Sequence, residues 1–168
     1  MKYNFRIMTT KRLISLILFI TTLNVSFAQG YISETIQYEG LTREYSIYVP
    51  ASYDGTTSFP LLFNFHGGGG DIASQIAIAD MSSISDTANF IVVYPQARPD
   101  PSDGNSFNWI PKVPGTFDDV PFISSLIDTI ASNYEIDQNR IYACGYSLGG
   151  DMSFELACKL NSRIAAIA

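Results

Sequence analysis

The feature of this sequence that most constrains its fold is a short apolar run at residues 61–65, Leu-Leu-Phe-Asn-Phe. A strand with so little alternation is typical of one buried on both faces, which requires helices on both sides of a parallel sheet. A second run of this kind follows at residues 90–94. Since 46% of the residues are hydrophobic and only 15% are charged, the chain can bury such a core. We therefore predict one α/β domain with a mostly parallel sheet.

The elements around these two strands alternate in the order that such a sheet needs. Residues 32–38 and 44–49 alternate polar and apolar side chains on either side of Glu39-Gly40, which predicts an N-terminal β-hairpin. Further elements are predicted as helices at 72–88, 118–134 and 148–160 and as strands at 140–144 and 163–168. Residues 95–115 contain five prolines and predict a long irregular loop, and loops of that length inside a domain are usually functional.

The first 28 residues have the pattern of a secretory signal peptide. Four basic residues precede any acidic one, an apolar stretch follows at 13–25, and Ser26-Phe27-Ala28 offers a cleavage site. The apolar stretch is shorter than the about 20 residues of a membrane-spanning helix, which argues against a stable membrane anchor. A short uncleaved anchor is the alternative. We expect cleavage after Ala28 and secretion, extracellular or periplasmic, of a chain that begins at Gln29.

Charge and cysteine content narrow the possible partners. The chain carries 10 basic and 16 acidic residues, a net charge of −6, and loses four basic residues with the signal segment. Such an acidic surface disfavours binding to nucleic acid or anionic lipid, while the oligomeric state stays open.

Cys144 and Cys158 are too few for a disulfide framework. Their predicted positions, in a strand and along the next helix, favour buried thiols, or a Cys158 bonded outside this chain.

Two glycine-rich turns follow predicted strands, and ligands of parallel sheets collect at the carboxyl ends of strands. In the second turn, Gly145-x-Ser147-x-Gly149 joins a strand to a helix, the context of a nucleophile elbow. The two glycines allow a turn tight enough to expose the Ser147 hydroxyl. The N–H of Leu148, at the head of the helix, can stabilise an oxyanion formed at Ser147. The alternative is a glycine-rich turn of no catalytic meaning.

The first turn, His66 followed by four glycines, predicts the second oxyanion donor. Glycines let the main chain turn its amides toward a ligand. We predict the N–H of Gly68 as this donor, with Gly69 as the alternative. Taken together, the two turns indicate acyl transfer, a chemistry for which we expect no metal ion and no cofactor.

Several segments together resemble a known family. They are listed here in chain order: His66-Gly-Gly-Gly-Gly, Asp118-Asp119-Val-x-Phe-Ile, Ile136-Asp-x-x-Arg-Ile-Tyr-Ala, Gly145-Tyr-Ser-Leu-Gly-Gly and Leu156-Ala-Cys-x-Leu. Over residues 31–168 the chain resembles secreted α/β-hydrolases of the poly(3-hydroxybutyrate) depolymerase and feruloyl esterase type, similar to carbohydrate esterase family 1. The resemblance implies an α/β-hydrolase fold, Ser147 as the nucleophile, and an ester substrate. That substrate is either a polyester or the feruloyl or acetyl decoration of a plant polysaccharide.

Other residues have two interpretations. In the resemblance, residues 107–109 border the cleft, so Trp109 either stacks on an aromatic acid or sugar or pins the loop to the core. Tyr146 and His66 are further candidates for substrate contacts. Asp118 and Asp119 are more readily explained as charges at a helix N-terminus than as catalytic acids.

The catalytic triad of an α/β-hydrolase runs Ser, then Asp or Glu, then His along the chain, and this order is incomplete here. After Ser147 come only Asp151 and Glu155 as acids and no histidine. The single histidine, His66, lies at a position that normally braces the oxyanion loop rather than serving as the base. We expect residues 29–168 to be the N-terminal portion of a hydrolase domain whose C-terminal part is absent. The alternative is a non-catalytic, α/β-hydrolase-like protein that binds esters or carbohydrates.

Overall fold

A computed structural model describes residues 30–168, which form a six-stranded sheet, a separate two-stranded sheet and four helices. The strands are β1 (Gly30–Tyr38), β2 (Leu41–Val49), β3 (Phe59–Phe65), β4 (Ile91–Pro95), β5 (Arg98–Asp100), β6 (Ser106–Asn108), β7 (Ile136–Gly145) and β8 (Ala166–Ile167). The helices are α1 (Ile72–Ile78), α2 (Ser82–Ala88), α3 (Val120–Asn133) and α4 (Leu148–Lys159), with a 3-10 turn at Pro101–Asp103.

The large sheet has the strand order β1-β2-β4-β3-β7-β8. Strands β3, β4, β7 and β8 are parallel, whereas β2 pairs antiparallel with both β1 and β4. The predicted N-terminal hairpin and the parallel core are therefore confirmed.

Alternate residues of β4 face different helices. Ile91 and Val93 join the core that contains α3 and α4, whereas the Tyr94 hydroxyl reaches the segment between α1 and α2. All residues of β4 are buried. Helices thus cover both faces of the sheet, as the apolar runs predict.

The single helix predicted for residues 72–88 is wrong, because the chain breaks into α1 and α2 there. The carbonyl of Ala79 accepts hydrogen bonds from Asn64 Nδ2 (3.0 Å) and from the Tyr94 hydroxyl (3.2 Å). The N–H of Met81 in turn donates to the Tyr94 hydroxyl at 2.9 Å. Side chains of two strands therefore satisfy the main-chain groups that a continuous helix would have paired internally.

The long loop after β4 is more regular than predicted. Strands β5 and β6 form a small antiparallel hairpin inside it. Because the N–H of Asn105 donates to the Asp100 carbonyl at 2.8 Å, the turn between these strands is closed as well.

A buried ion pair joins β2 to the start of α3. Arg43 donates to both carboxylate oxygens of Asp119, at 2.8 and 3.1 Å, and their side chains are 5% and 2% exposed. The guanidinium also lies 3.7 Å from the centre of the Phe122 ring. Burial raises the pKa of Asp119, while Arg43 acts in the opposite direction. Asp119 is thus an internal tether, whereas Asp118 accepts the N–H of Val120 at 2.9 Å and caps the helix.

The predicted signal segment, residues 1–28, lies outside the described residues. Among residues 30–168, no helix is both long and apolar enough to cross a membrane.

Cys144 is half-buried and Cys158 is exposed, and both are free thiols. They do not pair with each other, as expected, but Cys158 is not buried.

The two neighbouring aspartates provide a matched test of the ion pair. We expect Asp119→Asn to lower the free energy of unfolding by about 3 kcal/mol, because it leaves Arg43 as a buried, uncompensated charge. The control Asp118→Asn keeps a capping oxygen on an exposed side chain, and we expect a change within about 0.5 kcal/mol. Urea denaturation of the three proteins measures both values. Equal losses in the two variants would contradict the tethering role of Asp119.

Candidate active site

Ser147 occupies a strained turn between β7 and α4. Its backbone has φ 52° and ψ −121°, a left-handed φ that non-glycine residues rarely adopt and that costs on the order of 1–3 kcal/mol. The residue is solvent-exposed at the carboxyl end of β7. This is the strand, turn and helix context that the sequence predicts for a nucleophile elbow.

The glycines on either side of Ser147 allow the turn to approach its neighbours closely. A Cβ atom on Gly149 would collide with the main chain of Phe65 and stand 2.7 Å from the carbonyl oxygen of His66. One on Gly145 would stand 2.9 Å from the Cα of Gly149 and closer still to its carbonyl group. Real Cβ atoms do not tolerate such distances to main chain, so both positions require glycine for lack of space. The first turn of α4 therefore lies directly against the end of β3.

The main-chain N–H of Leu148 is available at the head of α4. The N–H groups that follow it are occupied, since Gly149 donates to the Tyr146 carbonyl at 2.9 Å and Gly150 to the Ser147 carbonyl at 2.8 Å. Within residues 30–168, the Leu148 N–H has no acceptor. An unpaired N–H at a helix N-terminus, adjacent to an exposed hydroxyl, can stabilise a developing negative charge.

The glycine turn after β3 provides a second free N–H and distinguishes the two predicted donors. Gly69 donates to the Phe107 carbonyl at 2.9 Å, and Gly70 donates to the Gly67 carbonyl at 3.0 Å. The N–H of Gly68 has no acceptor among the described residues. Gly68 also lies beside the first residue of α4, since a Cβ on it would be 3.3 Å from Leu148 Cδ2. The geometry therefore favours Gly68 over Gly69 as the second oxyanion donor.

His66 lies beneath this turn with both ring nitrogens engaged. Its Nδ1 is 2.7 Å from the Gly67 carbonyl oxygen, and its Nε2 accepts the N–H of Ala97 at 3.1 Å. The amide of Gln96 is a further partner of Nε2, at 3.0 Å. An imidazole that donates from Nδ1 and accepts at Nε2 is neutral, and burial lowers the pKa of His66 accordingly. Neither nitrogen bonds to Ser147, so the arrangement favours the bracing role over that of a base.

Trp109 is held inside the core beside His66. Its indole N–H donates to the His66 carbonyl at 2.9 Å, and its ring packs edge-on against Phe65 with centroids 5.0 Å apart. The side chain is 1% exposed. Of the two interpretations of Trp109, these contacts favour the one in which it pins the loop to the core.

The remaining surface candidate, Tyr146, is 64% exposed next to the elbow. A Cβ on Gly67 would be 3.0 Å from Tyr146 Cδ1, so the ring covers the start of the glycine turn. Tyr146 therefore lies beside both the elbow and the glycine turn, and its contact with a substrate stays a prediction.

Asp100, which the sequence patterns did not identify, shapes together with Asn108 the loop beside Gly68. Asn108 Nδ2 donates to Asp100 at 3.3 Å, and the N–H of Lys112 donates to the same carboxylate oxygen at 2.7 Å. Burial alone would raise the pKa of Asp100, but hydrogen bonds from Ser102, Lys112 and Asn108 lower it to about 2. The sequence signal was Asp-Pro-Ser-Asp, in which Asp100 accepts the N–H of Ser102 in an Asx turn.

The described residues provide neither a base for Ser147 nor a metal site. The Ser147 hydroxyl has no hydrogen-bond partner within residues 30–168. Glu155 pairs with Lys159 at 2.9 Å on α4, and Asp151 is exposed in its first turn. In the same part of the chain, no three His, Cys, Asp or Glu side chains come together in a way that could hold a metal ion. The site thus combines an exposed hydroxyl with two unpaired N–H groups on neighbouring turns.

No protein-family model matches the sequence. Among curated proteins, it is 30% identical over 130 residues to a bifunctional acetylxylan esterase/xylanase of Neocallimastix patriciarum, covering 77% of this chain and 18% of that protein. It is 31% identical over 126 residues to feruloyl esterase B of Piromyces equi, covering 75% and 23%. It is 26% identical over 145 residues to feruloyl esterase D of Neurospora crassa, covering 80% and 47%. The chain spans less than half the length of these relatives.

Solved structures resemble the chain over most of its length. A ferulic acid esterase superimposes with a TM-score of 0.66 at 18% identity, covering 84% of this chain and 59% of that one. An acetyl xylan esterase from Aspergillus awamori gives 0.64 at 18% identity, covering 81% and 50%. These neighbours have the α/β-hydrolase fold, and the predicted α/β-hydrolase fold of this chain is confirmed.

Adjacent glycines provide a test of the close approach at the elbow. We expect Gly149→Ala to lower the free energy of unfolding by about 3 kcal/mol or more, because its Cβ meets main chain that cannot move without displacing β3. In Gly150→Ala, the Cβ would stand 3.5 Å from the Gly145 carbonyl oxygen, an ordinary contact. We expect this control to be neutral or stabilising by up to about 1 kcal/mol, the helix-propensity gain. Thermal and urea unfolding distinguish these outcomes, and a tolerated Gly149→Ala would refute the steric argument.

The buried, neutral His66 makes stability depend on pH in a defined direction. Its folded-state pKa lies below the unfolded value of about 6.5, so between the two values the unfolded state binds more protons. Its contribution to stability is therefore complete above about pH 6.5 and declines as the pH falls through the folded-state value. We expect His66→Gln to be less stable at pH 7 but to lose less stability than the wild type between pH 7 and pH 5. Parallel stability curves for the two proteins, measured by urea unfolding, would contradict this role.

Proposed function

We propose that this chain is part of a secreted carboxylic ester hydrolase in which Ser147 is the nucleophile. The observation that carries the proposal is a strained, exposed Ser147 beside two unpaired N–H groups, those of Leu148 and Gly68, on turns that lie against each other. Such a set of donors suits a tetrahedral oxyanion better than a planar ester, because the donors are fixed before the charge develops. The support for the proposed secretion is the signal-peptide pattern of residues 1–28 alone.

The proposed reaction has two halves. The Ser147 Oγ attacks the carbonyl carbon of the ester, its proton passes to a base, and the carbonyl oxygen becomes an oxyanion between Leu148 and Gly68. When this intermediate collapses, the bond to the alcohol oxygen breaks, and the alcohol leaves with the proton. Water then attacks the acyl-enzyme by the same route and releases the acid.

The base in this scheme is not supplied by the described residues. His66 is committed to Gly67 and Ala97, and protonating it would place a charge in a buried site. On α4, Glu155 is paired with Lys159, and the contact of the exposed Asp151 with Ser147 is a main-chain hydrogen bond, from its N–H to the Ser147 carbonyl at 3.2 Å. The proposal therefore assigns the nucleophile and the oxyanion hole to this chain and requires an imidazole from outside residues 30–168.

We propose the acyl decoration of a plant polysaccharide, feruloyl or acetyl, as the substrate. The support is the names of the relatives, which include acetylxylan esterase and feruloyl esterase, together with the exposed aromatic side chain of Tyr146 next to Ser147. The polyester alternative has no corresponding support and stays a prediction from the sequence.

Covalent labelling and turnover of the full-length protein test the role of Ser147. We expect a fluorophosphonate to label Ser147, and we expect Ser147→Ala to abolish both labelling and hydrolysis of methyl ferulate and p-nitrophenyl acetate. The control Ser83→Ala removes an exposed hydroxyl from α2 and leaves both unchanged. A wild-type protein that is neither labelled nor active would instead favour the alternative of a non-catalytic binding protein.

The two glycine variants extend the same experiment to the oxyanion hole. Gly68→Val crowds Leu148 and Asn108, and we expect kcat to fall by roughly 10²-fold or more, the scale of losing one donor. Gly69 has an N–H that is already occupied and open space around a left-handed φ. Gly69→Asn, which tolerates that φ, should therefore have a much smaller effect. A larger loss in Gly69→Asn would reverse the assignment.

A further inference from the structure

A second concave site lies on the same edge of the sheet as Ser147. This cavity, of about 460 Å³, is lined by residues at the start of β2, by residues that follow β4 and by Phe107. Because β2 runs antiparallel to β4 and its Tyr45 pairs with Pro95, the residues before Tyr45 extend past the carboxyl end of β4. The cavity therefore opens where ligands of parallel sheets collect.

The strand order fixes the distance of this cavity from the elbow. Strand β4 is separated from β7 only by β3, and neighbouring strands are about 4.8 Å apart, so the cavity lies roughly 10 Å along the edge from Ser147. Phe107 links the two places, because its carbonyl accepts the N–H of Gly69 while its side chain lines the cavity. A substrate that extends beyond its ester group would reach the cavity over the glycine turn.

The lining combines an apolar surface with hydrogen-bonding groups of both kinds. Phe107 and Leu41 are 37% and 39% exposed and offer C–H and ring surface. Glu44 and Asp71 offer carboxylate acceptors, and Arg98 offers donors. The guanidinium of Arg98 lies 4.7 Å from the centre of the Phe117 ring, and its buried Nε has no hydrogen-bond partner among the described residues.

We propose that this cavity binds the sugar residues next to the scissile ester, as a subsite for a neutral oligosaccharide. Sugar hydroxyls both donate and accept hydrogen bonds, which matches the mixed lining, and their C–H faces pack on aromatic rings. The two carboxylates are balanced by the guanidinium groups of Arg43 and Arg98, which favours a neutral ligand. An acyl chain would leave these hydrogen-bonding groups without partners. This inference rests on the proposed function for its position in the reaction, although binding can be measured without catalysis.

Direct binding to the inactive protein tests the subsite independently of hydrolysis. Full-length protein carrying Ser147→Ala is titrated with xylotetraose by calorimetry, alone and with a second substitution, Phe107→Ala or Glu44→Gln. We expect each second substitution to raise the Kd by about tenfold, the size of one lost contact. Glu44 is exposed, so Glu44→Gln retains the fold and keeps the test decisive if Phe107→Ala does not. The matched aromatic control is Phe154→Ala, on the exposed face of α4, for which we expect an unchanged Kd.

The outcomes separate this proposal from the proposed function. Failure of xylotetraose to bind, or equal affinity in all variants, would overturn the subsite while leaving ester hydrolysis by Ser147 intact. Conversely, binding that is weakened by Glu44→Gln in a protein without esterase activity would support the subsite and reject the hydrolase. In an active protein, Glu44→Gln should raise the KM for a feruloylated oligosaccharide without raising the KM for methyl ferulate, and equal shifts for the two substrates would contradict the proposal.

Discussion

The contact on which the rest of the site depends is the one between the first turn of α4 and the end of β3. Gly149 lies so close to the main chain of Phe65 and His66 that no side chain fits between them. Because the helix begins at this distance, Leu148 lies beside Gly68, where a Cβ would be 3.3 Å from Leu148 Cδ2. The strain at Ser147 follows from the same contact, since the chain must leave β7 and enter α4 within two residues.

The residues around this contact stabilise it through hydrogen bonds. His66 accepts the N–H of Ala97 after β4, and Trp109 donates to the His66 carbonyl from the loop after β6. The hydrogen bonds of this one histidine thereby connect the end of β3 to the residues after β4 and to the loop after β6. A neutral, fully bonded imidazole is suited to this function because it donates at one nitrogen and accepts at the other. The same bonds make it unsuited to take a proton from Ser147.

The sequence predicted the parts of this site that depend on local sterics. The spacing Gly145-x-Ser147-x-Gly149 and the glycines after His66 identify tight turns wherever they occur, and the apolar runs identify the strands before them. It placed Gly68 ahead of Gly69 as the donor, but it did not predict what occupies the N–H of Gly69, because the acceptor is Phe107, 38 positions further along the chain. The break between α1 and α2 and the partner of Asp119 could not be predicted from the sequence for the same reason. Each depends on a side chain brought from another strand, Tyr94 in one case and Arg43 in the other.

The order of strands also explains how one edge can combine chemistry with recognition. Ser147 follows β7, Gly68 follows β3 and the cavity lined by Arg98 follows β4, so the three lie in the order of adjacent strands. A bound chain that crosses this edge would place its ester over β7 and β3 and its neighbouring residues over β4. Phe107 contributes its carbonyl to the first place and its side chain to the second.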